Sequence, residues 1–112
     1  MREFKVLASL EEINTFIEDK RLTFLYIGRT NCGVCQALLP QVQALMQDYP
    51  EIMLGHINAD HVEEVAGAFL VFTIPVLLLF FEGKEYVREA RIVHMDLFKE
   101  KIDKIYENVV EA

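Results

Sequence analysis

Cys32-Gly33-Val34-Cys35 follows the apolar run Leu22 to Ile27 and opens a helix-like segment that continues to Tyr49. A helix N-terminus presents backbone N–H groups without intrahelical partners and a partial positive charge. A thiol placed there loses its proton more easily, and the thiolate is the form that attacks a disulfide. Two intervening residues bring the second sulfur within bonding reach of the first. Cys32 can then attack and Cys35 can resolve the mixed disulfide that results. These are the only two cysteines in the chain. A structural disulfide or half of a metal site would use the same spacing, but the motif lies in a βαβ-like pattern, the context in which a CxxC pair serves redox chemistry.

The 112 residues suit one domain, 1–112, with a core of its own. Hydrophobic residues make up 53%, which marks a globular chain. The net charge of −7 argues against nucleic acid and anionic membrane as default partners. Met1-Arg2-Glu3-Phe4 leads into no apolar stretch of the kind a signal peptide carries. Val65 to Phe81 is uncharged, but its 17 residues contain Gly67, Thr73 and Pro75. A membrane span needs about 20 apolar residues. The expectation is a cytoplasmic protein with no membrane partner, where a catalytic cysteine pair is favoured over a structural one. No Lys or Arg occurs between Cys32 and Phe81, and the polar positions after the motif are largely glutamines: Gln36, Gln41, Gln43 and Gln47. That surface is either an ordinary solvated helix face or a neutral one kept for a partner.

Along the chain, Phe4 to Leu7 reads as a short strand. Ser9 with Glu12 makes a capping box, and Leu10, Ile13 and Ile17 mark one face of a first helix. Leu22 to Ile27 reads as a strand buried on both faces. A second helix spans Cys32 to Tyr49 with Leu38, Val42, Leu45 and Tyr49 on one side and Pro40 as a kink. Ile52 to Ile57 is a third strand and His61 to Phe69 a short helix. Val76 to Phe81 is a strand that turns at Glu82-Gly83-Lys84 and pairs back through Glu85 to Val93. Asp96 to Val109 is a last helix with Phe98, Ile102, Ile105 and Val109 inward.

This order, the motif and the proline forty residues after Cys35 together resemble thioredoxin. The residues that carry the resemblance are Cys32-Gly33-Val34-Cys35, Pro40, Asn58-Ala59-Asp60, Ile74-Pro75 before Val76-Leu77-Leu78-Leu79-Phe80, and Gly83. It implies an α/β thioredoxin fold, a mixed sheet of about five strands flanked by about four helices. It also implies a cis Pro75 beside the two sulfurs, with the backbone of Ile74 pairing with an extended substrate. The usual motif reads Trp-Cys-Gly-Pro-Cys. Here Asn31 stands for the tryptophan and Val34 for the proline, and the chain has no Trp. By resemblance, losing that proline makes the pair less reducing than thioredoxin's roughly −270 mV.

The family's buried acid falls at Tyr26 and its neighbouring lysine at His56. Either both side chains fill space, or His56 accepts the proton of Cys35 with Tyr26 orienting it. A glycine beside the family's substrate falls at Arg91, and Arg29 lies three residues before Cys32. Phe72, two before Ile74, is either an exposed apolar contact replacing the tryptophan or a core residue.

The leading function is a cytosolic protein disulfide reductase. It needs no cofactor, acts on disulfide-containing proteins and is regenerated by an external reductant such as a thioredoxin reductase. Cys32, Cys35, His56 and Tyr26 form its catalytic set, and Ile74, Pro75, Phe72, Arg91 and Asn31 its substrate set. A thioredoxin-fold interaction module with weak or absent redox activity is the alternative. A closed zinc site needs four ligands. With two sulfurs, and His56, His61 and His94 away from them in sequence, it would have to form across a dimer, so no metal is expected.

Overall fold

The computed structural model describes residues 2–110. The elements run β1 (Lys5–Val6), α1 (Leu10–Asp19), β2 (Leu22–Gly28), α2 (Gly33–Met46), β3 (Met53–Asn58), α3 (Val65–Ala68), β4 (Val76–Phe81), β5 (Lys84–Ala90) and α4 (Met95–Val109). The strands form one five-stranded sheet in the order β1-β3-β2-β4-β5. β1 and β2 flank β3 in parallel, and β4 is antiparallel to both β2 and β5. This mixed sheet with four helices is a thioredoxin fold.

β2 is the middle strand, and all seven of its residues are buried. Its near-continuous apolar run, broken only at Thr23, follows from having helices on both faces. Phe24 and Tyr26 point to one face, into a core with Leu77 and Leu79 of β4, Leu38 and Val42 of α2, and α4. Leu25 and Ile27 point to the other, packing with Leu78, Ile57 and the Ile13–Phe16–Ile17 stripe of α1. The alternation is the period-two pleat of a strand. It fixes register, because a one-residue slip would exchange the two cores.

α1 starts where Ser9 Oγ accepts the Glu12 N–H at 3.1 Å. The return bond goes from the Ala8 N–H to the Glu12 carboxylate, one residue earlier than the usual capping box. α2 runs through Pro40, whose missing N–H leaves the Gln36 carbonyl without its i+4 donor.

The structure corrects several expectations. The inward stripe of α2 is Leu38, Val42 and Met46, and Leu45 is only half-buried. In α4 it is Phe98, Ile102 and Tyr106 in place of Ile105 and Val109. Tyr106 can go inward because its hydroxyl accepts the Glu51 N–H at 3.3 Å. α3 covers only Val65–Ala68, since His61 to Glu64 form turns. β5 stops at Ala90 rather than Val93, because Arg91 takes a left-handed φ of 68° that no strand continues through.

Candidate functional site

The two cysteines sit where β2 hands over to α2, and here they form a disulfide with Cα atoms 5.3 Å apart. Cys32 is the N-cap of α2 in extended conformation. Its Sγ accepts the Cys35 backbone N–H at 3.2 Å, one of the donors a helix start leaves unused. The pair is asymmetric: Cys35 is 5% exposed, whereas Cys32 is only partly covered. Gly28, the last residue of β2, makes this burial possible. A Cβ there would stand 3.3 Å from both Cβ and Sγ of Cys35.

Behind Cys35 lies a cavity of about 330 Å³ that Tyr26, Asn31, Cys35, His56 and Asn58 help to line. Tyr26 and His56 face each other across the β2–β3 register, with ring centroids 5.7 Å apart. The Tyr26 hydroxyl donates to the Cys35 carbonyl at 2.6 Å. Tyr26 therefore meets His56 through its ring, and its hydroxyl holds the first turn of α2. Burial pushes the Tyr26 phenol up to about 12, so it stays protonated. Burial pushes the His56 imidazole below its ordinary value, so it is neutral near pH 7.

On the other side of α2 a groove of about 690 Å³ runs past Val34, Phe72, Ile74, Arg91 and Ile92. Phe72 is 81% exposed, Ile92 77% and Val34 61%, while Val71 takes the inward place beside Phe72. The Ile74–Pro75 peptide is cis. Among the described residues the backbone N–H and C=O of Ile74 have no hydrogen-bond partner. The Pro75 carbonyl accepts the Arg91 N–H at 3.2 Å.

The structure thus gathers Cys35, Tyr26 and His56 on one side of the pair, and Ile74, Phe72 and Arg91 on the other. Pro75 is buried at the base of the loop. Asn31, read as a substrate residue, lines the cavity with His56 rather than the groove with Phe72. Its φ of 58° is one that asparagine tolerates better than most residues. Among the described residues no three His, Cys, Asp or Glu side chains converge as metal ligands would.

Sequence reasoning missed Gly28 and Ile92. A glycine closing an apolar strand is a signal of close backbone approach, and it was available. Ile92 carries none, since its exposure follows from the loop conformation at Arg91. A loop clamp also went unread. Asp60 accepts the Thr30 N–H at 3.1 Å, and Asn58 donates to the Thr30 hydroxyl at 3.1 Å, tying the cysteine loop to the end of β3.

An accessible sulfur at a helix start, joined to a buried one on this sheet, defines a thiol–disulfide oxidoreductase. The chain belongs to the thioredoxin family: the family described as Thioredoxin matches residues 5–106. Thioredoxin-like protein YdfQ of Bacillus subtilis is 50% identical over 106 residues, covering 95% of each chain. Two solved structures share the fold. A point mutant of thioredoxin from Halobacterium salinarum superposes with a TM-score of 0.80 at 24% identity, over 91% of this chain and 89% of its own. Thioredoxin from Trypanosoma brucei brucei does so with a TM-score of 0.83 at 16% identity, over 94% and 92%. Among the described residues no helix is long and apolar enough to cross a membrane.

Proposed function

We propose that this chain is a cytosolic protein disulfide reductase in which Cys32 attacks and Cys35 resolves. The observation that carries this reading is the asymmetry of the pair: Cys32 is reachable at the helix start, and Cys35 lies behind it at 5% exposure. In the reduced pair the helix-start N–H groups favour negative charge on the Cys32 sulfur.

The Cys32 thiolate attacks one sulfur of a substrate disulfide. The substrate S–S bond breaks, its other sulfur leaves as thiolate, and Cys32 is joined to the substrate. Cys35 then gives its proton to His56 across the shared cavity and attacks the Cys32 sulfur. The substrate's second thiolate leaves and the Cys32–Cys35 disulfide forms. Two electrons pass from the pair to the substrate, and an external dithiol reductant must return them. During the exchange the unused backbone of Ile74 offers an extended substrate a place to pair.

The test is reduction of a protein disulfide with dithiothreitol as electron source. A rate well above dithiothreitol alone supports the reading. A rate equal to it would leave an interaction module as the better account. Equilibration with a glutathione buffer should place the pair above about −270 mV, and Val34→Pro should lower its potential. An unchanged or higher potential in that variant would remove Val34 as the cause.

A further inference from the structure

The groove beside the disulfide carries a local charge opposite to that of the whole chain. The chain has 18 Asp and Glu against 11 Lys and Arg, yet no carboxylate lines the groove, and Arg29 and Arg91 both do. The other three arginines are committed elsewhere. Arg2 donates to the carbonyls of Met46, Tyr49 and Ile52. Arg21 donates to the Val109 carbonyl, and Arg88 pairs with Glu85 and holds the Phe69 and Leu70 carbonyls. Among the described residues the side chains of Arg29 and Arg91 make no hydrogen bond and no ion pair, and both are exposed.

Arg91 also sits at a φ of 68°, which disfavours any residue with a Cβ, and its N–H is bonded to Pro75. Backbone strain of this kind, held in place beside a reactive centre, points to a functional reason for the side chain. The groove that both arginines line also carries Phe72, Ile92 and Val34, all more than half exposed. A guanidinium matches a carboxylate through two parallel N–H donors.

We propose that this groove selects protein disulfides lying in extended segments that carry Asp or Glu close to the half-cystine. Arg29 and Arg91 bind the carboxylates, and Phe72, Ile92 and Val34 cover the apolar residues between. The inference rests on the oxidoreductase reading and names its substrate class. The exchange is the one already written, and the arginines take no part in the electron balance.

The sign of the preference discriminates. A field set by the net charge of −7 would draw basic substrates and repel acidic ones. The groove predicts the reverse. The experiment uses three matched peptide disulfides, with aspartates, serines or lysines flanking the cysteine, and measures kcat/KM for the reduced protein relative to each peptide's rate with dithiothreitol. Two exposed ion pairs make the acidic peptide roughly 2- to 30-fold faster than the neutral one, and the basic peptide the slowest. The acidic-to-neutral ratio shrinks as salt rises from about 20 mM to about 0.5 M. In the double variant Arg29→Gln, Arg91→Gln the ratio falls to one or below. Should that variant fail to fold, Arg91→Gly relaxes the backbone at that position and loses part of the ratio. Equal rates for the three peptides, a preference for the basic one, or a ratio kept in the variants would overturn the proposal and leave the reductase reading standing. No exchange with any peptide would overturn both.

Discussion

His56 is where the chemistry of this site can be probed one proton at a time. The titratable side chains lining its cavity are Tyr26, Arg29, Cys35 and His56 itself. Tyr26 is held near 12 and already donates to the Cys35 carbonyl, and a guanidinium does not accept protons near neutrality. On the proposed mechanism the neutral imidazole is the side chain that would receive the Cys35 proton. Resolution of the mixed disulfide should slow as pH falls through the His56 pKa, which lies below its ordinary value. His56→Ala should remove that step in the pH profile and slow resolution by about 10²–10⁴-fold. An unchanged profile would assign the proton to bulk solvent. The same shift bears on stability. The folded protein resists protonating His56, so the unfolded chain binds more protons once pH drops below about 6.5. Stability contributed by the neutral imidazole is therefore complete above that pH and declines as pH falls toward the folded pKa. Thermal melts of the wild type and His56→Ala across this window should diverge accordingly. A second residue, Thr23, is 1% exposed with its hydroxyl unpartnered among the described residues. Thr23→Val should keep stability or raise it, by about 1–3 kcal/mol at most, and the melting temperature with it, since a buried hydroxyl without a partner is costly. A clear fall in melting temperature would contradict this.

At the scale of elements, β3 depends on a glycine. A Cβ on Gly55 would stand 2.7 Å from a Leu7 methyl and 3.1 Å from Leu25 and Phe16 side-chain atoms. Gly55→Ala should therefore destabilise by about 1–3 kcal/mol through overpacking, read by chemical denaturation; a neutral result would mean that the Leu7 and Phe16 side chains give way freely. The elements also show what the sequence made legible. β2 and β4 announced themselves because strands buried on both faces read as near-continuous apolar runs. α1 did so through its cap and its Ile13–Ile17 spacing. The inward face of α4 was misread because tyrosine counts as apolar only when its hydroxyl is satisfied, and Tyr106 finds its partner, Glu51, 55 residues away. The end of β5 was misread because nothing in the local composition signals that Arg91 leaves the strand conformation. At the site, the cysteine pair and Ile74-Pro75 were legible from spacing and resemblance. The division into a cavity with Asn31 and His56 and a groove with Phe72 and Arg91 was not, because it depends on which side of α2 each loop passes.

At the scale of the molecule, the sheet brings three separate parts of the chain to one end. The β2–α2 junction supplies the sulfurs and, with Arg29 and Val34, part of the groove lining, and the loop before β4 and the residues after β5 supply the rest. β2 and β4 are hydrogen-bonded neighbours, with Ile27 opposite Val76, so the cysteine loop and Ile74-Pro75 meet as a consequence of strand pairing. On the proposed mechanism Cys32 attacks first and Cys35 resolves from behind it. Trapping reads this most directly: Cys35→Ser and Cys32→Ser are each reduced, mixed with a disulfide-bonded protein and resolved by non-reducing mass spectrometry. A covalent complex should accumulate with Cys35→Ser and be absent or scarce with Cys32→Ser. Equal trapping by the two variants, or trapping only by Cys32→Ser, would contradict it.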